Sequence, residues 1–428
     1  MRIITTVEEP VGFRIFAGSM NYSLFTLKNG IRVVHQPAAG TDIVHACVVV
    51  NSGSRDEPNG KMGLAHFIEH LLFKGTVKRN MFQVLNRLEA VGGDLNAYTT
   101  KEQTCIHASF LRTHLDRALD LLSDVMFRST FPEGELKKEK GVVLDELDSY
   151  RDTPEEQIND DFEEIIFRDH PLGNNVLGTP DSIRDFTRDD ILHFREANYS
   201  THELVIGISA DAAPQKVRQL CEKHFGGIPE RTGSRRRLAV NGYHAEYRTE
   251  SKNIFQAHFM LGGRAYPLDH EKKPAMLLLN NLLGGPSMSS RLNLTVREKH
   301  GICYTIESAY APMSDTGIFS VYFGTEREKV AKCLQLIHRE LRKTREQALG
   351  TTQLHQAKQR FKGQIALAEE ARLSVIIYMC KSLLDQGEIE SLETVFRKID
   401  QVSAGDILDV ANEVLAPGNL STLGFTPE

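Results

Sequence analysis

Apolar and polar residues alternate on both sides of Asn29-Gly30 in the stretch YSLFTLKNGIRVVHQP. Alternation with a period of two marks half-buried strands, and Asn-Gly suits the tight turn of a hairpin, so the fold is expected to open with a β-hairpin. The next apolar stretch, IVHACVVVNSG, is rich in β-branched residues, as a central strand would be. In KMGLAHFIEHLLFKG the apolar positions change to helical spacing and stop at Gly75. Further helices are expected over 80–91, 113–128, 133–150 and 155–167, and strands over 94–99, 103–110 and 203–209.

The same order of elements returns about 210 residues later. FQAHFMLGG resembles the central strand, with Gly263 opposite Gly53. PAMLLLNNLLGG resembles the helix, with Leu282, Leu283 and Gly285 opposite Leu72, Phe73 and Gly75. A strand pair follows in both halves, in the second as YTIESAY and GIFSVYFG. These patterns predict an α+β chain of two homologous domains, each a mostly antiparallel sheet packed with helices. The expected layout is an N-terminal extension over 1–21, a first domain over 22–228, a linker over 229–240 and a second domain over 241–428.

Composition narrows the classes of function. The chain has 428 residues, 41% apolar and 25% charged, enough to build sizeable cores in a water-soluble protein. Fifty-one Lys and Arg against 57 Asp and Glu leave a net charge of −6, which argues against nucleic acid or an anionic membrane as partner. The basic run Arg235, Arg236, Arg237 lies beside Thr232, Gly233 and Ser234 and is expected to be a solvated linker. Six scattered cysteines form no C-x-x-C pair and are expected to be free, buried thiols. Charges at Glu8, Glu9 and Arg14 interrupt any secretory signal, and no segment reaches the length of a membrane span, so the cytoplasm is the expected location.

The chemistry is concentrated in His66-Phe67-Ile68-Glu69-His70. Two imidazoles at i and i+4 share one helix face and can reach a single ion. Glu69 projects from nearly the same face, where a carboxylate can take a proton from a water at the metal without being a ligand. Phe67, Ile68, Leu71 and Leu72 would bury the other side. A catalytic zinc needs a third protein ligand, and ELKKEKGVVLDELDSY offers one. There Glu139, Val142, Val143 and Glu146 are expected to form a buried helical stripe with a carboxylate at each end. Glu146 is the natural ligand, and Glu139 could accept a hydrogen bond from a ligand histidine. The repeat sets Met276, Leu279 and Asn280 opposite His66, Glu69 and His70, so one zinc per chain is expected, in the first domain.

With these residues in place the sequence resembles the pitrilysin and insulinase group of metallopeptidases, most closely its mitochondrial-processing-peptidase branch. His-x-x-Glu-His is the inverted zinc signature of that group. Its third ligand is a glutamate some seventy-odd residues beyond the second histidine, and Glu146 lies 76 beyond His70. Glu139, seven residues earlier, also matches a glutamate of the family. The resemblance runs from about Tyr22 to the C-terminus through GLAHFIEHLLFKGT, GGDLNAYTTKE, HPLGNNVLGTPDSI and LLGGPSMSSRLNLTVREKHGICY. Residues 1–21 take no part in it.

The resemblance implies a zinc endopeptidase that binds peptide as an added strand on a sheet edge. DLNAYT at 94–99 resembles that edge, which makes Asn96 and Ala97 candidate substrate contacts. The family's second half supplies an arginine and a tyrosine seven residues apart, matched here by Arg297 and Tyr304, with Arg291 the weaker substitute. Both can donate hydrogen bonds to a peptide carbonyl and its oxyanion. Family subunits of this length pair to enclose a chamber, implying a homodimer or a heterodimer with an inactive sister subunit. Two rival readings are a non-catalytic partner subunit of the same family and a metal hydrolase for small molecules.

Overall fold

The computed structural model describes residues 22–233 and 236–428; the extension 1–21 and Arg235 of the basic run lie outside them. Ser23–Thr26 (β1) and Arg32–Pro37 (β2) pair across the Asn29-Gly30 turn, where Gly30 adopts a φ of +88° open to glycine. There follow Ile43–Val50 (β3), Leu64–Leu72 (α1), Met81–Glu89 (α2), Asp94–Thr99 (β4), Thr104–Leu111 (β5), Leu115–Arg128 (α3), Glu133–Arg151 (α4), Pro154–Ile166 (α5), Pro180–Asp185 (α6), Arg188–Asn198 (α7), Leu204–Ala210 (β6) and Pro214–Phe225 (α8). The strands form one sheet in the order β1-β2-β6-β3-β5-β4, antiparallel except between β2 and β6. Among the described residues this order leaves β4 outermost, with β5 on one side only.

The second half continues with Tyr247–Lys252 (β7), Ala257–Ala265 (β8), Lys273–Gly284 (α9), Thr305–Pro312 (β9), Gly317–Thr325 (β10), Val330–Glu346 (α10), Thr351–Ala368 (α11), Arg372–Asp385 (α12), Leu392–Gln401 (α13), Ala404–Val414 (α14) and Ser421–Pro427 (β11). Its sheet runs β7-β11-β8-β10-β9. Strand for strand this repeats β2-β6-β3-β5-β4, down to the single parallel pair, here β7 with β11. Opposite α1, helix α9 keeps the packing face but carries Met276, Leu279 and Asn280, with Asn280 Oδ1 accepting a hydrogen bond from Ser308 at 2.7 Å.

Each sheet is apolar on both faces, and its own helices cover only one. The other face of the first sheet, with Val34, Val49 and Val205, is covered by Val375, Ile376, Met379 and Leu383 of α12 from the second half. In return α5 lays Ile158, Phe162 and Ile165 on Met260, Leu423 and Phe425 of the second sheet. Each such side chain contributes about 1.5–3 kcal/mol when buried, so separating the halves would expose two apolar faces at once. All six cysteines are free and buried; Cys47 and Cys380 meet in the α12 contact with sulfurs 3.7 Å apart.

A buried ion network also ties the halves. The Arg55 guanidinium, 1% exposed, donates to Glu102 Oε1 at 2.7 Å and to both oxygens of Asp315 in the β9–β10 turn at 2.7 and 2.6 Å. Arg237 was expected in a solvated linker. Instead its guanidinium pairs with Asp56 through two 3.0 Å bonds and is only 15% exposed, because the buried carboxylates of Asp56 and Glu102 require cations beside them.

On α5, burial pushes the Asp160 carboxyl up to about 6, with Lys101 opposing the shift, while the Asn175 amide donates to it at 2.8 Å. A raised carboxyl pKa means that the folded state holds more protons than the unfolded one between about pH 4 and 6. Its contribution to stability therefore falls as pH rises through that window and is flat above it. Asp160→Asn keeps the hydrogen bond without the charge. It is expected to be more stable than the parent by about 1–3 kcal/mol at pH 7 and equal to it below pH 4, as read from urea unfolding across pH.

Candidate metal centre

The chain reaches α1 through a rigid entry. Gly63, with φ +88°, stops α1 from extending back toward Lys61, so the helix is shorter than its apolar pattern suggests. A Cβ on Gly63 would lie 2.4 Å from Leu177 O, and one on Gly178 2.2 Å from Met62 O, so two glycine backbones cross where no side chain fits. The buried Glu57 carboxylate accepts the N–H groups of Gly63 at 2.9 Å and Ala65 at 2.8 Å, satisfying donors that begin the helix. Leu64, Phe67, Ile68, Leu71 and Leu72 are fully buried behind it.

On the open side, one ligand atom each from His66, His70 and Glu146 lie within 4.8 Å of one another, and among the described residues this is the one such group. His70 Nε2 is 3.4 Å and His66 Nε2 3.9 Å from the Glu146 carboxylate. A tetrahedral zinc with ligands at about 2.0–2.2 Å separates its donors by a little over 3 Å, so small rotations would bring all three onto one ion. Two imidazoles and a carboxylate are also a known donor set of catalytic zinc. The residues fit the metal.

The hydrogen bonds behind the donors fix their orientation. His70 Nδ1 meets Glu139 Oε1 at 2.9 Å, leaving Nε2 toward the metal position, and Lys74 Nζ holds the other Glu139 oxygen at 2.7 Å. Burial and the neighbouring His70 lower the His66 pKa, keeping its imidazole in the neutral form that ligates. For His70 burial acts in the same direction, but Glu139 and Glu146 outweigh it and raise the pKa. The Glu69 carboxyl is raised by burial, against a 2.5 Å hydrogen bond donated by the Thr99 hydroxyl to Oε2.

The stripe on α4 departs from its expected burial. Glu139 and Val143 are buried, whereas Val142 is 49% exposed and the Glu146 side chain 43% exposed. Glu146 therefore lies at the rim, where the α1–α4 contact opens to solvent. Asn96 and Ala97 lie on β4, which is the outer strand of its sheet; Asn96 Oδ1 accepts the Ala97 N–H at 2.8 Å. Arg297 and Tyr304 sit in the second half, before β9. Among the described residues neither side chain has a hydrogen bond or ion pair joining it to the His66, His70 and Glu146 group, and Tyr304 is 80% exposed. Arg291 bonds Thr344 Oγ1 at 3.1 Å within its own domain. Thr99, Lys74 and Glu57 escaped the sequence reading. For Thr99 a signal existed, because the strand period places it on the same face as Ala97; Lys74 stands at i+4 from His70.

Two repeated α+β halves, the first carrying His-x-x-Glu-His on α1 and the second lacking it on α9, define the architecture of an inverted-motif metallopeptidase. Residues 32–180 match the insulinase domain of peptidase family M16, and residues 185–361 match the peptidase M16 inactive domain. The chain belongs to the insulinase family of peptidases, family M16. It is 31% identical to the uncharacterized zinc protease YmxG of Bacillus subtilis over 91% of this chain and 95% of that protein. An uncharacterized zinc protease of Streptomyces coelicolor is 32% identical over 93% and 88%. Among solved structures, a protease from Helicobacter pylori shares the fold with a TM-score of 0.86 at 24% identity, over 96% of this chain and all of that one. A peptidase M16 inactive domain protein from Pseudomonas fluorescens does so with 0.87 at 19% identity, over 95% and 98%. No helix among the described residues is long and apolar enough to cross a membrane.

Proposed function

We propose that the protein is a zinc-dependent endopeptidase that hydrolyses peptides or unfolded protein segments, with its active site completed by a second subunit. The observation that carries the reading is the placement of Glu69. Its carboxylate projects from nearly the same helix face as the two histidines and is not one of the grouped donors, and among the described residues the hydrogen bond it accepts goes to one oxygen. A zinc ion held by His66, His70 and Glu146 would polarise the scissile carbonyl and make water nucleophilic near neutral pH. Glu69 would accept a proton from the attacking water and pass it to the leaving amine. Its raised pKa brings it closer to the working pH of such a base.

The free edge of β4 would take the peptide as an added strand, so that backbone groups supply affinity and side chains vary. Asn96 would release the Ala97 N–H to a substrate carbonyl. A long sheet edge favours peptides over small molecules as substrates. Arg297 and Tyr304 would donate to the substrate carbonyl and the oxyanion from a partner subunit, as a homodimer or with a related inactive chain. The reading is supported by the exposure of Tyr304 and by the lack of metal donors in its own half.

The wild-type protein is expected to cleave a mixed peptide library. Glu69→Gln chains and Tyr304→Phe chains should each be nearly inactive, and a mixture should regain activity because some mixed dimers contain one intact composite site. No cleavage by the wild type would remove the peptidase reading. Mixed dimers that form without regaining activity would place Arg297 and Tyr304 outside a shared site.

A further inference from the structure

We propose that Thr99 is a positioning residue that holds the Glu69 carboxylate in its proton-transfer geometry through a hydroxyl hydrogen bond from the substrate strand. The inference rests on the peptidase reading and deepens it. Thr99 ends β4, and Leu95, Ala97 and Thr99 share the face turned toward α1, where Leu95 and Ala97 pack on the same core as that helix. From there the Thr99 hydroxyl donates to Glu69 Oε2 at 2.5 Å. A glutamate has three side-chain torsions, and with no donor its carboxylate would sample several rotamers. With Oε2 pinned by a fixed donor, Oε1 is left for the proton transfer.

The donor itself is fixed by its surroundings. Thr99 leads directly into the tight turn 100–103, in which Thr100 N–H bonds Gln103 O at 2.8 Å. Ser54 and Arg55 donate their N–H groups to Thr100 O at 3.1 Å and Lys101 O at 2.8 Å. The Glu102 carboxylate in the same turn is gripped by Arg55 and, from the second half, by the Ser314 N–H at 2.9 Å and hydroxyl at 2.5 Å. Support of this kind is what keeps a reacting group within a fraction of an ångström of its working position. Because β4 is also the strand proposed to receive the peptide, one rigid element would set both the register of the substrate and the position of the base.

The test compares Thr99→Val, Thr99→Ala and Thr99→Ser with wild type and Glu69→Gln in zinc content, kcat and KM on one peptide. Valine is isosteric and suits a strand, and alanine serves if valine does not fold. Loss of the hydroxyl is expected to lower kcat roughly tenfold to a hundredfold, the scale of a misplaced reacting group. KM and zinc content should stay within about twofold, and Thr99→Ser should restore kcat to within about threefold of wild type. A wild-type kcat in Thr99→Val or Thr99→Ala, a serine variant as poor as they are, or loss of zinc from them would overturn the role. Glu69→Gln separates this from the parent reading: if it cleaves at the wild-type rate the base is wrong, whereas an inactive Glu69→Gln beside a fully active Thr99→Val refutes only the positioning role.

Discussion

Glu69→Gln should keep its fold and its zinc while losing peptide hydrolysis by ~10²–10⁴, the usual worth of a general base. The substitution is isosteric, and the glutamine carbonyl can still accept the Thr99 hydroxyl, so position is retained and only basicity is lost. Zinc should be unaffected because the donor group is His66, His70 and Glu146. Steady-state cleavage of a single peptide, with metal analysis of the same preparation, reads both outcomes. Hydrolysis at the wild-type rate would show that another group moves the proton. Zinc lost along with activity would show that Glu69 acts on the metal instead.

The wild-type chain should hold about one zinc, and His70→Ala should lose it on dialysis. His70 is braced from behind, with Glu139 on Nδ1 and Lys74 beyond it. Its removal leaves two donors, too few for a site built on three. Glu139→Gln keeps all three donors and weakens the brace, so it should cost about 10–100-fold in zinc affinity rather than abolish binding. Competition with a chromogenic chelator measures the difference. The stoichiometry follows from α9, where Met276, Leu279 and Asn280 replace the metal set. Two tightly held metals per chain, or unchanged zinc in His70→Ala, would refute the site.

The elements and the pairing of His66 with His70 on one helix face were legible from the chain alone, because both depend on local spacing. Alternation around Asn29-Gly30 specifies a hairpin whatever surrounds it, and four residues bring His66 and His70 onto one helix face in any fold. The repeat was legible for the same reason, since each half carries its own run of strand and helix periods. Start and end points were less so: the apolar pattern around α1 does not reveal that Gly63 turns into the left-handed region. Periodicity shows which face of an element is apolar and not what that face meets. Thus only the tertiary structure decided that α5 and α12 cover each other's sheets, that β4 ends up outermost, and that Glu146 stands at an exposed rim. It alone joined Thr99 to Glu69 across 30 residues and drew Arg237 out of an apparently solvated run into a buried ion network. Such contacts form when distant segments are packed together and buried charges must find partners, a requirement of the whole chain that no local pattern records.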